Sequence, residues 1–429
     1  MTSFSIMTLG CKVNTYESEA IINDLIGHGW VLKDFQDKCD VYIVNTCTVT
    51  ATSDQKSRQM LHSCKRKNPD AIVVAMGCYA QLNSEKVMTM ADCILGSSNK
   101  MQVYNIVNSY LETKKSINNV LDVMHHPDYE EMKISKLTQH TRGFIKIQDG
   151  CENFCAYCAS PFSRGNIRSR KPDNVIDEIN YLVNEGTKEI ILAGINTGSY
   201  GRDLKTINFA GLITRIMEET KIHRLRISSI ELMEITDELL DVLYKYRDRI
   251  AHHFHIPLQG GCDNTLKRMR RKYNTAEYYE TVCKIRKLFP GCAITTDCLA
   301  GFVGETEQDY QDSLDFIRKI GYAGMHVFPY SRRKNTLADR MEGHLDPGLI
   351  KERARGIIKV AAGMKLDYEK KFIGKTLEVL VEQKKDNMWV GHTSNYLEVH
   401  FDSDENLANT LQFVEIEKIE NNKIIGRMK

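Results

Sequence analysis

The chain has 429 residues, enough for two or three domains that each bury a hydrophobic core. Its formal net charge of +2 neither indicates nor excludes a nucleic-acid partner, so any polyanion would have to be met by local basic patches. Thirteen cysteines are an odd number, which fits a disulfide framework poorly. No apolar run approaches the ~18 residues of a membrane span, and residues 1–10 lack the basic start of a secretory signal. These features favour an intracellular, cytoplasmic enzyme.

Residues 1–115 alternate strand-like and helix-like runs, which predicts an open parallel α/β sheet with helices on both faces. The predicted strands are 4–9, 41–44 and 72–76, and the predicted helices are 17–27, 54–67 and 101–111.

A cysteine follows each of these three strands: Cys11, Cys47 and Cys78. The carboxyl ends of parallel strands converge on one crevice, so we expect the three thiols to meet there. A single buried cysteine is more often a core residue than a ligand. Three cysteines that each follow the end of a predicted strand instead favour a site for an iron–sulfur cluster. Such a cluster would have one iron without a protein ligand.

Residues 116–137 are polar and predict a linker. They contain the pair His125-His126, which could bind a metal ion. A solvated connecting segment is the favoured interpretation.

Residues 138–365 predict six strands separated by helices, which corresponds to a partial (β/α)6 barrel. The predicted strands are 143–148, 189–193, 225–229, 253–257, 293–299 and 325–329. The predicted helices are 174–184, 209–218, 236–246, 275–288 and 306–319.

Three cysteines in eight residues, Cys151, Cys155 and Cys158, directly follow the first of these strands. This is the barrel face on which chemistry is found. Three thiolates can hold three irons of a cubane and leave the fourth open, whereas a zinc knuckle would need a fourth Cys or His nearby. The spacing CxxxCxxC, with an aromatic residue before the last cysteine, resembles the signature of radical S-adenosylmethionine (SAM) enzymes. There the open iron takes the amino and carboxylate groups of SAM.

The same barrel face offers residues for SAM contacts. Gly194 and Asn196 follow the second strand, and Ser229 and Glu231 follow the third. A glycine lets the backbone approach a ligand closely, while the hydroxyl and carboxylate suit a ribose or an ammonium group. Tyr157 is expected beside the cluster, presenting its backbone to the adenine. Each position alone is also compatible with an ordinary turn.

Residues 366–429 contain short alternating runs at 376–382, 388–392, 397–401 and 411–418, which predict a small β-barrel. Three basic runs, 164–171, 267–273 and 332–334, lie in the central part. A basic run is most often a solvated face, but three near one barrel opening could form a phosphate-binding rim.

Throughout its length the chain resembles the methylthiotransferase family of radical SAM enzymes, with an N-terminal cluster domain, a radical SAM core and a C-terminal TRAM-type domain. The segments that carry the resemblance are TLGCKVN (8–14), VNTCTVT (44–50), GCYAQ (77–81), CENFCAYC (151–158) and PFSRG (161–165). The segments TLGCKVN, AGINTGSYG (193–201), RLRISSIE (224–231) and HVFPYS (326–331) are most similar to the branch that acts on N6-threonylcarbamoyladenosine in tRNA.

The resemblance implies two [4Fe–4S] clusters, one on Cys151, Cys155 and Cys158 and an auxiliary one on Cys11, Cys47 and Cys78. It implies that two SAM molecules are used, and that a sulfur carried on the auxiliary cluster becomes a methylthio group at adenine C2. It further implies the tRNA anticodon loop as substrate and an electron donor such as flavodoxin or ferredoxin. The sequence does not fix the oligomeric state, and a monomer is compatible with it.

Other activities remain open from the sequence. A methylthiotransferase could act instead on isopentenyladenosine in tRNA or on an aspartate side chain of a ribosomal protein. A protein of another class, a non-catalytic Fe–S electron carrier or RNA-binding module, is disfavoured because both cysteine sets lack a fourth ligand.

Overall fold

The computed structural model describes residues 1–125, 128–135, 137 and 141–429, which form three packed units. The first unit contains strands β1 (Ser3–Thr8), β2 (Val31–Leu32), β3 (Val41–Thr46), β4 (Ile72–Gly77), β5 (Cys93–Leu95) and β6 (Ile117–Asn119). Its helices are α1 (Lys12–Gly27), α2 (Ala51–Lys67), α3 (Cys78–Leu82), α4 (Ser84–Val87) and α5 (Val103–Thr113). The strands form one parallel sheet in the order β2-β1-β3-β4-β5-β6.

Alternate residues of the central strands enter two separate hydrophobic cores. Val41 and Ile43 of β3 pack with α1 and α5 on one face, and Tyr42 and Val44 pack with α2 on the other. Both faces of β3 and β4 are therefore covered, as is usual for parallel sheets. The predicted open α/β sheet is confirmed.

Two boundaries differ from the sequence prediction. Helix α1 begins at Lys12 rather than at residue 17, because its first turns bury the polar residues Asn14 and Glu17, which an apolar periodicity does not detect. The segment expected to be a linker contributes β6, which pairs with β5. His125 in that segment is exposed, and its Nδ1 lies 2.7 Å from Asp122 Oδ2. Its neighbour His126 falls outside the described residues.

The second unit is the central barrel. Its strands are β7 (Gly143–Lys146), β8 (Gln148–Asp149), β9 (Arg168–Ser169), β10 (Glu189–Ala193), β11 (Arg224–Ile227), β12 (His253–His255), β13 (Ala293–Ala300) and β14 (Gly324–Pro329). Its helices are α6 (Ser160–Arg164), α7 (Pro172–Asn184), α8 (Phe209–Glu219), α9 (Asp237–Lys245), α10 (Asp263–Arg268), α11 (Thr275–Leu288), α12 (Glu307–Ile320) and α13 (Pro347–Lys370).

Six of these strands form the predicted partial barrel. Parallel pairing gives β11-β10-β7 and β12-β13-β14, and a bridge between Ser229 and His255 joins the two halves. The strands thus follow one another around the barrel in chain order, and the six predicted positions are confirmed. The short β8 and β9 pair with each other outside this series.

The third unit is a closed barrel of β15 (Thr376–Lys385), β16 (Met388–Thr393), β17 (Glu398–Phe401), β18 (Leu411–Glu420) and β19 (Lys423–Met428). The predicted β-barrel is confirmed, with β19 as a fifth strand that the sequence prediction missed. The missed helix α13 runs across the expected boundary at residue 365. Among the helices that the structure describes, none has the length and apolar character needed to cross a membrane.

A buried ion-pair group holds the third unit against the start of the central barrel. Glu189 of β10 accepts hydrogen bonds from Arg226 Nε at 2.7 Å and Arg224 Nη1 at 3.1 Å. Arg226 also donates to the carbonyl oxygens of Thr393 and Ser394, each at 3.1 Å. The arginines hold the pKa of Glu189 at about 2 although burial opposes its ionisation. Glu189 therefore balances Arg226, while Arg224 is shared between Glu189 and Glu378 of the third unit.

We expect Glu189→Gln to lower the free energy of unfolding by about 3–5 kcal/mol, because it leaves the buried guanidinium group of Arg226 without a counter-charge. Urea denaturation of the full chain measures the change. Glu185→Gln, an exposed position near the start of the same strand, should stay within about 0.5 kcal/mol of wild type. Equal stabilities of the two variants would contradict this account of the interface.

Candidate active site

The three N-terminal cysteines lie at the carboxyl ends of three neighbouring strands. Cys11 precedes α1 after β1, Cys47 directly follows β3, and Cys78 opens α3 after β4. Since β1, β3 and β4 are adjacent in the sheet, the thiols come together at one edge, as the sequence predicts.

The approach of the Cys11 loop to Cys47 requires a glycine. Gly10 has a φ of +98°, and a Cβ placed on it would lie only 2.6 Å from Cys47 Sγ. Burial raises the pKa of the Cys47 thiol to about 11, and the neighbouring Cys78 and Cys11 act in the same direction. The three sulfurs are thus close enough to influence one another's ionisation.

The CxxxCxxC loop follows β8 and is fixed by backbone contacts. Ala156 N donates to the carbonyl of Met269 at 3.0 Å, and the Ala156 carbonyl accepts from Ala338 N at 2.8 Å. Cys158 N donates to Cys155 O at 3.0 Å, which brings the last two cysteines onto one turn. The loop is therefore held by elements from the far half of the barrel.

The loop's thiols also share one electrostatic environment. Burial raises the pKa of Cys151 to about 12, and the neighbouring thiols of Cys158 and Cys155 add to this rise. Arg271 Nη1 donates to Cys155 Sγ at 3.3 Å, while Nη2 of the same arginine pairs with Glu231. The guanidinium group of Arg271 therefore lies where it can balance negative charge on the sulfurs.

Arg164, at the end of α6, connects the two cysteine sites. Its Nε donates to Cys78 Sγ at 3.1 Å, and its Nη1 donates to Glu17 Oε1 at 2.6 Å and to Asp149 Oδ2 at 3.3 Å. Its Nη2 donates to Asn14 Oδ1 at 2.5 Å. The side chain is fully buried. Arg164, which follows the CxxxCxxC cysteines in the chain, thus contacts a thiol of the N-terminal set.

Arg164 belongs to a buried network with more positive than negative groups. Glu17 also pairs with Lys100 and Lys146, and Asp149 pairs with Lys146 at 2.6 Å. Arg168 lies 3.8 Å from Asp149. Four cations therefore share two carboxylates, and these cations hold the pKa of Asp149 at about 2 against the effect of burial.

Both cysteine sets fit a cubane better than a single metal ion. Within the described part of the chain, no three Cys, His, Asp or Glu side chains converge closely enough to hold one ion. A tetrahedral zinc site would need four ligands about 2 Å from one centre, whereas a cubane binds thiolates at separate corners. The excess positive charge around Cys78 suits a cluster whose three thiolates make it anionic.

One cavity of about 830 Å³ joins the N-terminal site to the barrel interior. Cys11 and Lys12 line it on one side, and barrel residues line it on the other. The third unit closes it through the segment 395–398, where Tyr396 stacks on His253 with ring centroids 4.4 Å apart. All three units therefore line a single cavity.

The residues expected to contact SAM take different positions. Gly194 and Ser229 line the large cavity, and Ser229 Oγ lies 2.9 Å from His255 Nδ1. Asn196 is buried, with its backbone N–H donating to Gln148 Oε1 at 2.9 Å and its side-chain oxygen without a partner among the described residues. Glu231 borders a smaller cavity together with Cys155, and Tyr157 packs edge-on against Phe302.

The basic run 164–171 does not form a phosphate-binding rim. Arg164, Arg168 and Arg170 are buried, and Arg170 pairs with Glu178 and Glu131 inside the protein. This expectation was wrong because the carboxylates that pair with the run lie outside it and become its neighbours only in the folded chain. Within 267–273, only part of the run, including Arg270 and Lys272, remains exposed.

Comparison with known proteins agrees with this geometry. A family profile described as "Uncharacterized protein family UPF0004" matches residues 3–96, and the Radical SAM superfamily profile matches residues 145–317. Threonylcarbamoyladenosine tRNA methylthiotransferase MtaB of Bacillus subtilis (strain 168) is 40% identical over 426 residues, covering 97% of this chain and 94% of that protein. The chain belongs to the radical SAM tRNA methylthiotransferases.

Other members of this family are similar over comparable lengths. MtaB of Aquifex aeolicus (strain VF5) is 34% identical, covering 91% of this chain and 95% of that protein. The tRNA-2-methylthio-N(6)-dimethylallyladenosine synthase of Clostridium botulinum (strain Okra / Type B1) is 33% identical, covering 99% of this chain and 96% of that protein. As a radical SAM methylthiotransferase the protein uses a [4Fe–4S] cluster and SAM.

The fold is also found in a solved structure of another radical SAM enzyme. The radical S-adenosylmethionine methyltransferase TsrM from Kitasatospora setae superimposes with a TM-score of 0.54 at 14% identity, covering 76% of this chain and 72% of that chain. At this identity the likeness concerns the fold alone.

Sequence reasoning missed three residues of the site: Lys12, Arg164 and Arg271. Lys12 and Arg164 lie inside the segments TLGCKVN and PFSRG, so their proximity to the cysteines was visible. The exposure of Lys12 to the cavity and the contacts of Arg164 with Glu17 and Cys78 could not be seen in the sequence, because they involve residues of another unit.

We expect Arg164→Met to lower the free energy of unfolding by about 1–3 kcal/mol, because buried Asn14 Oδ1 loses the hydrogen bond from Arg164, while Glu17 and Asp149 keep their other cationic partners. Chemical denaturation of the cluster-free chain measures this loss without interference from iron. Arg66→Met, at an exposed position on α2, is the matched control and should change stability by no more than about 0.5 kcal/mol. A value for Arg164→Met as small as the control's would show that the network is not needed for packing.

Proposed function

We propose that the protein converts N6-threonylcarbamoyladenosine next to the tRNA anticodon into its 2-methylthio derivative, acting in the cytoplasm. The observation that carries this proposal is the shared cavity. Cys11 lines one side of it, and residues from the strand ends of the radical SAM barrel line the other. A sulfur carried at one site and a radical formed at the other could both reach one base there. The two MtaB relatives, named for this nucleoside, support the choice of substrate.

A second [4Fe–4S] cluster is part of the proposal. Cys11, Cys47 and Cys78 would hold it, and of these three residues Cys11 lines the cavity. The buried cations around Arg164 would balance its negative charge, and the hydrogen bond from Arg164 Nε would fix the orientation of Cys78 Sγ. When bound, the two clusters and SAM supply electron transfer, the hydrogen-abstracting radical and the sulfur atom.

The chain's own residues would bind and orient SAM and the base. Arg271 would hold Glu231 beside Cys155, where the carboxylate can accept hydrogen bonds from SAM. Gly194 would leave room for the ligand, and Ser229 and Asn196 would offer polar contacts to it. Tyr157, fixed against Phe302, would present its backbone to the adenine. Enclosure by the third unit would keep water from the radical.

Exposed basic residues near the smaller cavity would contact the tRNA backbone. Arg270 and Lys272 border this cavity together with Cys155. Phosphate contacts of this kind position an RNA without reading its sequence. The target base would have to leave the anticodon-loop stack to enter the large cavity, as bases do for enzymes that modify them. Flavodoxin or ferredoxin would deliver the electron.

Dimethylallyladenosine in tRNA is the second candidate substrate. The Clostridium botulinum relative named for this nucleoside is similar over nearly the whole chain. The two substrates differ in the group on adenine N6, so the lining of the cavity must distinguish them.

Anaerobic reconstitution should load about eight irons per chain, because each of the two clusters contains four. Replacing Cys11, Cys47 and Cys78 together by alanine should reduce this to about four, and so should replacing Cys151, Cys155 and Cys158. Iron analysis gives the count. Cys283→Ala removes an exposed thiol outside both sets and should leave it unchanged. About four irons in the wild-type protein would refute the second cluster.

Reconstituted enzyme with SAM, reductant and threonylcarbamoyl-modified tRNA should yield a nucleoside carrying an added methylthio group. Mass spectrometry of the digested tRNA detects the product. Cys78→Ser should abolish it while SAM cleavage continues, because the radical SAM cysteines remain intact. Product formation on dimethylallyl-modified tRNA, and none on the threonylcarbamoyl form, would replace the proposed substrate with the second candidate.

A further inference from the structure

Lys12 is the exception among the charged side chains that line the large cavity. Asp297 lies 3.4 Å from His255, Lys365 lies 3.4 Å from Glu369, and Glu398 lies 3.2 Å from His400. For Lys12, no carboxylate of the described residues lies within ion-pair distance. An ammonium group without a counter-ion therefore faces an enclosed space.

The surroundings of Lys12 make its isolation unfavourable without a ligand. Arg226 and Arg142 add positive charge to the surroundings of Lys12, and the carboxylates of Glu189 and Asp297 act in the opposite direction. Glu189 is already shared by Arg224 and Arg226. A desolvated cation among other cations is stabilised when an anion enters the cavity.

The cavity has a further unsatisfied polar group. His253 is buried and lines the same space, and its Nδ1 has no hydrogen-bond partner within the described chain. Its Nε2 lies 2.7 Å from Thr295 Oγ1, which fixes the ring. Buried polar atoms are rarely left unpaired in a native state, so the cavity is built to receive a polar ligand.

Because Lys12 directly follows Cys11, its position restricts which anionic group of a bound substrate can lie beside its ammonium group. In adenine, C2 and the N6 substituent lie on the same edge of the ring. A base whose C2 faces the Cys11 site would therefore carry its N6 group along the wall formed by the following residue, Lys12. The threonylcarbamoyl group ends in a carboxylate, whereas the dimethylallyl group is an uncharged hydrocarbon.

We propose that Lys12 binds the carboxylate of the threonylcarbamoyl group and thereby selects this substrate over adenosines with uncharged N6 groups. The inference rests on the proposed function and adds the residue that determines specificity. A charge-assisted hydrogen bond in an enclosed site commonly changes affinity by about tenfold or more. Lys12 acts as a binding residue and takes no part in the sulfur chemistry.

The test compares two anticodon stem-loop RNAs, one with N6-threonylcarbamoyladenosine and one with its methyl ester, which removes only the negative charge. The measurement is the ratio of kcat/KM for the two RNAs, with binding followed in parallel by fluorescence anisotropy. Wild-type enzyme should prefer the carboxylate. Lys12→Gln should reduce this preference at least about tenfold, mainly by slowing the reaction of the charged RNA.

Two further variants and an iron analysis separate binding from structural effects. Lys12→Arg keeps the positive charge and should retain most of the preference. Lys38→Gln removes an exposed lysine before β3, at the opposite end of the sheet from the cysteines, and should retain all of it. Lys12→Gln should load as much iron as wild type.

The possible outcomes distinguish this inference from the proposed function. If wild type modifies the charged RNA and Lys12→Gln keeps the same preference, the inference fails while the function stands. If Lys12→Gln slows both RNAs equally or loses iron, Lys12 serves the auxiliary site and the inference also fails. If wild type modifies neither RNA but does modify a dimethylallyl-adenosine RNA, both the proposed substrate and the role of Lys12 are overturned.

Discussion

The guanidinium group of Arg164 is the contact on which the arrangement of the two cysteine sites depends. It lies six residues after Cys158 and donates to Cys78 Sγ, so the loop of one site is bonded to a sulfur of the other. Burial of this charge is tolerated only because Glu17, Asp149 and Asn14 surround it. The same network fixes α1, and α1 carries Cys11 and Lys12 to the cavity. The separation between the two sites is therefore set by ion pairs rather than by a flexible linker.

Most of the fold could be predicted because its strands are short apolar runs in regular alternation with amphipathic helices. All six barrel strands, together with β1, β3 and β4 of the N-terminal sheet, were found in this way, whereas the short β2, β5 and β6 were not. The start of α1 was missed because Asn14 and Glu17 are polar yet buried. The strand β19 was missed because its sequence, Lys423 to Met428, mixes charged and apolar residues and forms only by closing the barrel. Such elements depend on partners that local patterns do not reveal.

The six cysteines could be predicted because spacing and strand ends place them, whereas the charged residues around them could not. Arg164 and Arg170 look like a solvated basic run, yet both are buried, Arg164 against Glu17 of the distant helix α1 and Arg170 against Glu178 of the following helix α7. Lys12 sits in a recognisable motif, but its exposure to a cavity between three units is a property of the assembled chain. Long-range electrostatic pairing therefore limits how far the site can be derived from the sequence alone.

The central proposal is that each of the two cysteine sets holds its own iron–sulfur cluster. Anomalous diffraction at the iron absorption edge, on crystals of anaerobically reconstituted protein, tests it most directly. The account predicts two separate iron peaks, one bounded by Cys151, Cys155 and Cys158 and one by Cys11, Cys47 and Cys78. A single peak at the CxxxCxxC loop in fully loaded protein would contradict it, as would a second peak away from the N-terminal thiols.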